Sequence, residues 1–325
     1  MLKLKIMNSS ILIITLNYNQ TNFTIQCVKS ILNSEYENFR ILLIDNGSSE
    51  ENFNELKQNI PSDSRIFLHR LEINKGYVGG VNFGLVESKK LIADYIIIMN
   101  NDVIIDSKAI PELVKTCKKW NNKAIVTGKC YYYDNPGVIQ TVGFKFKNKK
   151  TLTTYKIGEG ELDIGQYDEE SERDLIDDVY WLFPSELVNE IGLYPNYYGF
   201  GYEQADWALA AKKNGYKLVF TPEARLLHKV NATVGKNLSP YKIYWYLQGH
   251  LMFQWKYISK IAFIQCYLLT IYEIMAAFYY EFIRLFSTSI ETRFPFIKFI
   301  AFIRFHFWVI FKMDKDQFNP RIINR

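Results

Sequence analysis

The sequence predicts an α/β fold built on a mostly parallel sheet. Three observations carry the prediction. From residue 11 to 102, short aliphatic runs alternate with helix-period segments, the pattern of a sheet covered on both faces. Each of the four runs gives way to a cluster of polar and glycine residues. The composition, 48% hydrophobic and 22% charged over 325 residues, gives the chain enough apolar material for a large buried core and excludes disorder and low-complexity filaments.

The strands fall at 11–16 (ILIITL), 40–45 (RILLID), 65–70 (RIFLHR) and 95–99 (YIIIM). Their continuous apolar character suits strands buried on both faces. Helices are expected at 22–33, 50–59 and 80–90. Thr21 or Asn22 can cap the first, and Glu50 and Glu51 favour the start of the second by opposing the helix dipole. A helix at 111–120 and a strand at 124–131 follow, and then a Gly-, Lys- and acid-rich stretch, 143–178, reads as loops or irregular β. The segment YEQADWALAAKKNGYKLVF predicts a helix closed by Gly215, a strand at 216–220, and a turn at Thr221-Pro222. ILIITL is too short for a signal-peptide core, and Cys27, Cys117, Cys130 and Cys266 show no CxxC spacing. A reducing, cytosolic setting is the expectation.

The polar clusters that end the strands are Asn17-Tyr18-Asn19, Asp45-Asn46-Gly47-Ser48, Asn74-Lys75-Gly76 and Asn100-Asn101-Asp102. In open α/β sheets ligands bind outside the carboxyl ends of strands, so these clusters define the default site. Asp45 is either a turn aspartate or an acceptor for the imide N–H of a uracil or thymine ring. The glycines of NKGYVGGVNFG allow close backbone approach to a sugar-nucleotide, but their spacing matches neither a dinucleotide fingerprint nor a P-loop. Asp102 either caps its strand or holds Mg2+ together with substrate phosphates. Glu203 and Asp206, three apart, share a helix face, and an apolar continuation beginning at Trp207 suggests the partial burial that tunes a carboxylate toward general-base work. His228 closes PEARLLH as a structural histidine or a metal ligand.

Taken in order, LNYN (16–19), DNGSS (45–49), NKGYVGGVNFG (74–84), MNNDV (99–103), IGLYP (191–195), GFGYEQADW (199–207) and PEARLLH (222–228) resemble family 2 glycosyltransferases, in particular bacterial rhamnosyltransferase-like and galactosyltransferase-like members. The resemblance implies a GT-A fold over residues 1–240 and an inverting mechanism that uses a nucleoside-diphosphate sugar, UDP- or dTDP-linked, with Mn2+ or Mg2+. It places Asn17, Tyr18, Asp45, Asn74, Gly76, Asn101 and Asp102 on the donor. Asp102 corresponds to the last carboxylate of the DxD motif, and His228 to the histidine that completes the metal site in some members. Glu203 stands at the first position of the family's ED pair, with Asp206 as the alternative base. Asp178, Trp181 and Tyr202 fall toward the acceptor, a glycan or lipid-linked glycan of a bacterial surface polysaccharide. The sequence departs from the pattern at Asn100-Asn101-Asp102, which leaves one acidic metal ligand, and at Gln204, which cannot act as a base. Tyr180 and Trp181 replace a small pair common among relatives, which should reshape the acceptor pocket. The departures keep open an alternative, a non-catalytic sugar- or membrane-binding protein on a degenerate scaffold.

Residues 241–325 read as a separate helical tail. The segment holds eleven Lys and Arg against five Asp and Glu, so it carries all of the chain's +5 excess, and residues 241–312 contain 23 of the 52 aromatic residues. In 270–287, Thr270, Glu273, Ala277, Glu281 and Arg284 share a narrow arc and leave a wide apolar face. An interfacial helix at the inner face of the cell membrane is expected, with a packed subdomain or homo-oligomer interface as the alternative. Nucleic-acid binding is not expected, because the body is slightly acidic and the basic residues are mixed with aliphatic ones.

Overall fold

A computed structural model describes residues 9–229, 239–284 and 294–311. The strands are β1 (Ile11–Asn17), β2 (Phe39–Asp45), β3 (Ile66–Arg70), β4 (Tyr95–Met99), β5 (Val103–Ile105), β6 (Ala124–Tyr132), β7 (Asn135–Thr141), β8 (Phe144–Asn148), β9 (Thr153–Lys156), β10 (Ser171–Glu172), β11 (Tyr180–Pro184) and β12 (Lys217–His228). The helices are α1 (Thr21–Leu32), α2 (Glu50–Asn59), α3 (Gly76–Leu91), α4 (Ala109–Lys119), α5 (Glu186–Ile191), α6 (Glu203–Lys213), α7 (Pro240–Tyr257), α8 (Lys260–Arg284) and α9 (Pro295–Phe311). The chain divides into two units. The first comprises Met1–Lys145, Tyr155–Tyr194 and Gln204–Gly235, and the second Phe146–Thr154, Pro195–Glu203 and Lys236–Arg325.

In the first unit the main sheet runs β10-β12-β6-β11-β4-β1-β2-β3, with β5 beside β12 and β7 beside β6. β1 pairs in parallel with β2 on one side and with β4 on the other, and β2 pairs in parallel with β3. Successive crossovers therefore diverge at β1, which opens a crevice outside the carboxyl ends of β1 and β4. β11 enters antiparallel to β4, so the residues just before it return to that same edge. Ile11 to Ile14, Ile41, Leu43, Ile44 and Ile96 to Ile98 are at most 1% exposed, as befits strands with helices on both faces.

Three details differ from the sequence expectation. Helix α3 begins at Gly76, ahead of residue 80, and two of its four glycines, Gly80 and Gly84, serve packing. A Cβ on Gly84 would lie 2.6 Å from Ile14 Cγ2, and one on Gly80 would lie 2.8 Å from Leu16 Cδ1. These residues bring the helix backbone onto the sheet, where nucleotide approach was expected. Thr221-Pro222 does not end its strand: β12 continues to His228, and the proline is absorbed in an irregularity of the β6 pairing between Phe220 and Arg225. The stretch 143–178 contains the β8-β9 ribbon and β10.

In the second unit, Tyr244 and Trp245 of α7 and Ala301 of α9 form a small core, with Phe200, Leu247 and Ile297 packed against it. Gln254 Nε2 of α7 donates to Thr151 O at 3.1 Å, and Gln248 Nε2 to Tyr197 O at 3.3 Å. Helix α8 turns small residues inward. Ala262, Thr270 and Ala277 are buried together with Phe263 and Ile274, while Leu268, Leu269, Tyr272, Met275 and Phe282 are exposed. Thr270 and Ala277 of the expected polar arc are therefore an inner face. By length and composition α8 is long and apolar enough to cross a membrane. The tail positions 285–293 and 312–325, Lys312 among them, lie outside the described residues.

Candidate active site

The parallel register sets Asn17, at the end of β1, beside Asp45, at the end of β2. Asn17 Nδ2 donates to Asp45 Oδ1 at 2.7 Å and to Ser48 Oγ at 3.2 Å, and Ser48 N donates to Asp45 Oδ2 at 3.2 Å. On its other side, Asn17 Oδ1 accepts from Thr24 Oγ1 at 2.8 Å, and Thr24 Oγ1 accepts from Asn101 Nδ2 at 2.7 Å. One hydrogen-bonded chain thus runs from Asp45 through Asn17 and Thr24 to Asn101, tying the ends of β1, β2 and β4 together. Asp45 is 0% exposed, and Arg70 Nε lies 3.9 Å from its Oδ2. A carboxylate has room for about four donors, and Asn17 and Ser48 already occupy both oxygens of this buried one. Tyr18 is partly exposed beside the chain.

The next turn is built around Asn46 and Asn74. Asn46 Nδ2 donates to Asn74 Oδ1 at 3.1 Å and to Gly76 O at 3.0 Å, while Asn46 Oδ1 accepts from Lys75 N at 3.1 Å. Gly76 N donates to Asn74 Oδ1 at 2.8 Å. Gly47 must be glycine here: its φ is +75°, and a Cβ would stand 2.4 Å from Asn74 N. Asn74 and Gly76 therefore shape the edge of the crevice through backbone and amide contacts.

Beyond β4, Asp102 meets His228 at the end of β12. The antiparallel β5–β12 pairing sets His228 opposite Val103, and His228 Nε2 lies 3.3 Å from Asp102 Oδ1. His228 Nδ1 contacts Gln140 Oε1 at 2.9 Å, and that oxygen also accepts from the Cys130 thiol at 3.0 Å. Since Gln140 Oε1 only accepts, Nδ1 carries the ring proton. In the neutral ring, Nε2 then presents a lone pair toward Asp102. Asp102 Oδ1 is buried and makes no hydrogen bond. A carboxylate oxygen and an imidazole lone pair facing one another fit a shared cation, with Gln140 fixing the ring as an outer partner of a metal ligand does. Among the described residues no group of three or more His, Cys, Asp or Glu is placed to hold a metal. The pair suits a hard dication only where phosphate oxygens and water complete its shell.

Asp178 precedes β11 and returns to this edge, where Asn100 N bonds Val179 O at 3.0 Å. Its Oδ2 accepts from Tyr77 Oη at 2.7 Å and from Tyr194 Oη at 3.2 Å. Burial, followed by the charge of Asp177, pushes its carboxyl up to about 7 against the opposing pull of the two hydroxyls. Trp181 is 0% exposed, its ring packed against Phe183, Tyr194 and Trp207, so it lines the core beneath the edge. Asp206, on α6, is buried in the same unit. Glu203, the first residue of α6, belongs to the second unit and is also buried. So does Tyr202, which has φ +72° and an Oη 2.7 Å from His250 Nδ1.

The structure therefore brings Asn17, Asp45, Asn101, Asp102, His228 and Asp178 to one end of the sheet in the first unit, with Asn74 and Gly76 forming the adjoining turn. Sequence reading named Ser48 only within a strand-end cluster and missed Thr24, Gln140, Tyr77 and Tyr194. Tyr77 and Tyr194 lie inside motifs already singled out, so proximity could have suggested them. Thr24 and Gln140 have no sequence signal, since each matters only through a tertiary contact.

A parallel sheet with its switch point at β1, polar strand ends gathered there and a carboxylate–imidazole pair at the rim together define a GT-A-type nucleotide-diphospho-sugar transferase fold. Comparison with known proteins agrees. Residues 10–165 match the model of glycosyl transferase family 2. It is similar to the glycosyltransferase GlyG of Streptococcus pneumoniae, at 27% identity over 117 residues, 36% of this chain and 38% of that protein. It also resembles uncharacterized glycosyltransferases of Rickettsia bellii (36% over 86 residues, 26% of this chain and 12% of the other) and Haemophilus influenzae (33% over 85 residues, 26% and 33%). The matches thus span well under half of these relatives' length. Among solved structures, GalNAc-T7 with UDP, GalNAc and Mn2+ shares the fold at a TM-score of 0.54 and 15% identity, covering 74% of this chain and 51% of that one.

Proposed function

We propose that the protein is an inverting glycosyltransferase that moves a hexosyl or deoxyhexosyl group from a UDP- or dTDP-sugar to a hydroxyl of a lipid-linked bacterial surface-glycan acceptor, working at the inner face of the cell membrane. The observation that carries the reading is the Asp102–His228 pair, joined to the Asp45–Asn17–Thr24–Asn101 chain at the sheet's switch point. The similarity to a UDP- and Mn2+-bound fold relative supports the donor and cation classes.

The chain's own residues divide the work. The Asp45–Asn17–Asn101 chain holds the strand ends rigid, so the donor pocket is organised before the substrate arrives. Asp45 recognises the base edge, and Asn74 and Gly76 border the diphosphate. Asp102 and His228 would hold Mn2+ or Mg2+, which when bound supplies positive charge for the departing diphosphate. Glu203 takes the proton from the attacking acceptor hydroxyl, a role Gln204 cannot fill and for which Asp206 is the alternative. Asp178 and its tyrosine partners orient the acceptor. The tail brings the enzyme to the membrane through residues 241–312, where α8 and α9 present large apolar residues outward.

Thermal unfolding with UDP-, dTDP- and GDP-sugars, each with Mn2+ or with chelator, tests the donor class. One nucleotide sugar should raise Tm in a Mn2+-dependent manner. Absence of stabilisation by every donor would refute the reading. Flotation with anionic vesicles at low salt tests the membrane role separately.

A further inference from the structure

A second feature lies entirely within the helical unit. Helices α7, α8 and α9 line an open pocket of about 260 Å³ whose floor is Trp255, Phe263 and Phe305 and whose rim holds Ile264 and Ile310. The floor phenylalanines are 6% and 2% exposed, whereas the two rim residues are 56% and 68% exposed. Two polar side chains, Tyr267 and His306, reach the wall, and they satisfy each other. Tyr267 Oη lies 2.6 Å from His306 Nε2, and His306 Nδ1 lies 2.8 Å from Phe302 O. With Nδ1–H donating to the carbonyl, Nε2 accepts the tyrosine hydroxyl, so neither ring nitrogen is left for a ligand. The wall offers carbon alone, which excludes a sugar, a nucleotide or a metal ion and leaves hydrocarbon as the matching occupant.

Two observations say where the hydrocarbon comes from. The pocket's rim residue Ile264 belongs to α8, the one described helix long and apolar enough to cross a membrane, and Ile261 and Leu268 of α8 and Phe307 and Phe311 of α9 are also exposed. Beside the floor, Lys260 Nζ stands 3.7 Å over the Trp255 ring, placing a cation next to the carbon-lined space. A hydrocarbon slot with an ammonium group at its side is complementary to an anionic lipid, chain inward and phosphate on the lysine. We propose that this cavity binds one acyl chain of an anionic phospholipid, with Lys260 meeting its phosphate. The proposal rests on the membrane reading above and adds a defined lipid seat to it.

The test uses the full chain and a short-chain phosphatidylglycerol brominated on its acyl chains, kept monomeric so that no bilayer is needed. The Trp255 contribution to fluorescence is taken as the difference between the wild type and Trp255→Phe. Saturable quenching of that contribution, reversed by the unbrominated lipid, is the expected result. Val309→Phe, which fills the cavity, should weaken the binding about tenfold or more. Lys260→Glu should weaken binding of phosphatidylglycerol more than that of brominated phosphatidylcholine, whose choline offsets the phosphate charge. The competition with unbrominated lipid needs no variant in the cavity wall, so a poorly folding substitution does not blunt the test. An unquenched Trp255 in a chain that floats with vesicles overturns the lipid seat and leaves the membrane reading intact. Quenching by the monomeric lipid without flotation supports the seat and refutes the membrane reading. Self-association of the chain with an unquenched Trp255 would assign the face to a second copy and overturn the proposal.

Discussion

Asp178→Asn isolates the energetic consequence of a buried carboxyl at the sheet edge. Both tyrosine hydroxyls that reach Asp178 converge on one oxygen, Oδ2. An asparagine with its carbonyl oxygen in that place keeps both of those hydrogen bonds and removes the ionisation. In the folded chain the carboxyl is pushed from 3.8 to about 7, first by burial and then by Asp177. A raised folded value means that the native state binds the proton more tightly than the unfolded chain does. The stability this contributes is fully present below pH 4 and is lost as the pH rises through 7. At about 1.4 kcal/mol per unit, the three-unit gap sets a ceiling of roughly 4 kcal/mol on the loss. Urea unfolding followed by tryptophan fluorescence at pH 5 and pH 8 measures it. The wild type should lose stability between the two conditions relative to Asp178→Asn, and the variant should be the more stable protein at pH 8. Parallel pH dependences in the two proteins would refute the argument, since they would show that Asp178 ionises in the folded state as it does in water.

Glu203→Gln should lower sugar transfer by about 100-fold or more, the usual contribution of a general base, while donor-induced thermal stabilisation persists. Full turnover by that variant would move the role to Asp206. Asp102→Asn and His228→Ala should each abolish the Mn2+-dependent part of donor stabilisation in thermal shift, and Gln140→Leu should weaken it by about 10- to 100-fold in metal affinity, because the imidazole loses the acceptor that fixes its tautomer. Gly47→Ala should cost roughly 2 kcal/mol or more in urea unfolding, since it combines a strained φ with a Cβ 2.4 Å from backbone. Gly84→Val should destabilise by about 1–3 kcal/mol through overpacking against Ile14 and Ile44.

The sequence by itself determined the four parallel strands, to within a residue or two, because β1, β2 and β4 are buried on both faces and so continuously apolar, while the edge strand β3 alternates in exposure yet keeps an apolar run. It also determined that Asn17, Asp45 and Asn101 belong to one edge, since parallel register makes every strand finish on the same side. Helix periodicity located α2 and α4, while α3 began earlier than expected because Gly80 and Gly84 face the sheet, and a glycine's helical role is visible only when its neighbours are known. Tertiary structure alone decided that β12 runs through Thr221-Pro222, that Gln140 reaches His228 from β7, and that Thr24 links Asn17 to Asn101. These contacts join residues between 7 and 88 positions apart, and nothing in either partner's local sequence encodes the distance between them. The tail shows the same division. Its apolar and basic composition was legible, but the inward turn of Thr270 and Ala277, and the carbon-lined space beside Lys260, arise only when three helices pack and choose which face each one hides.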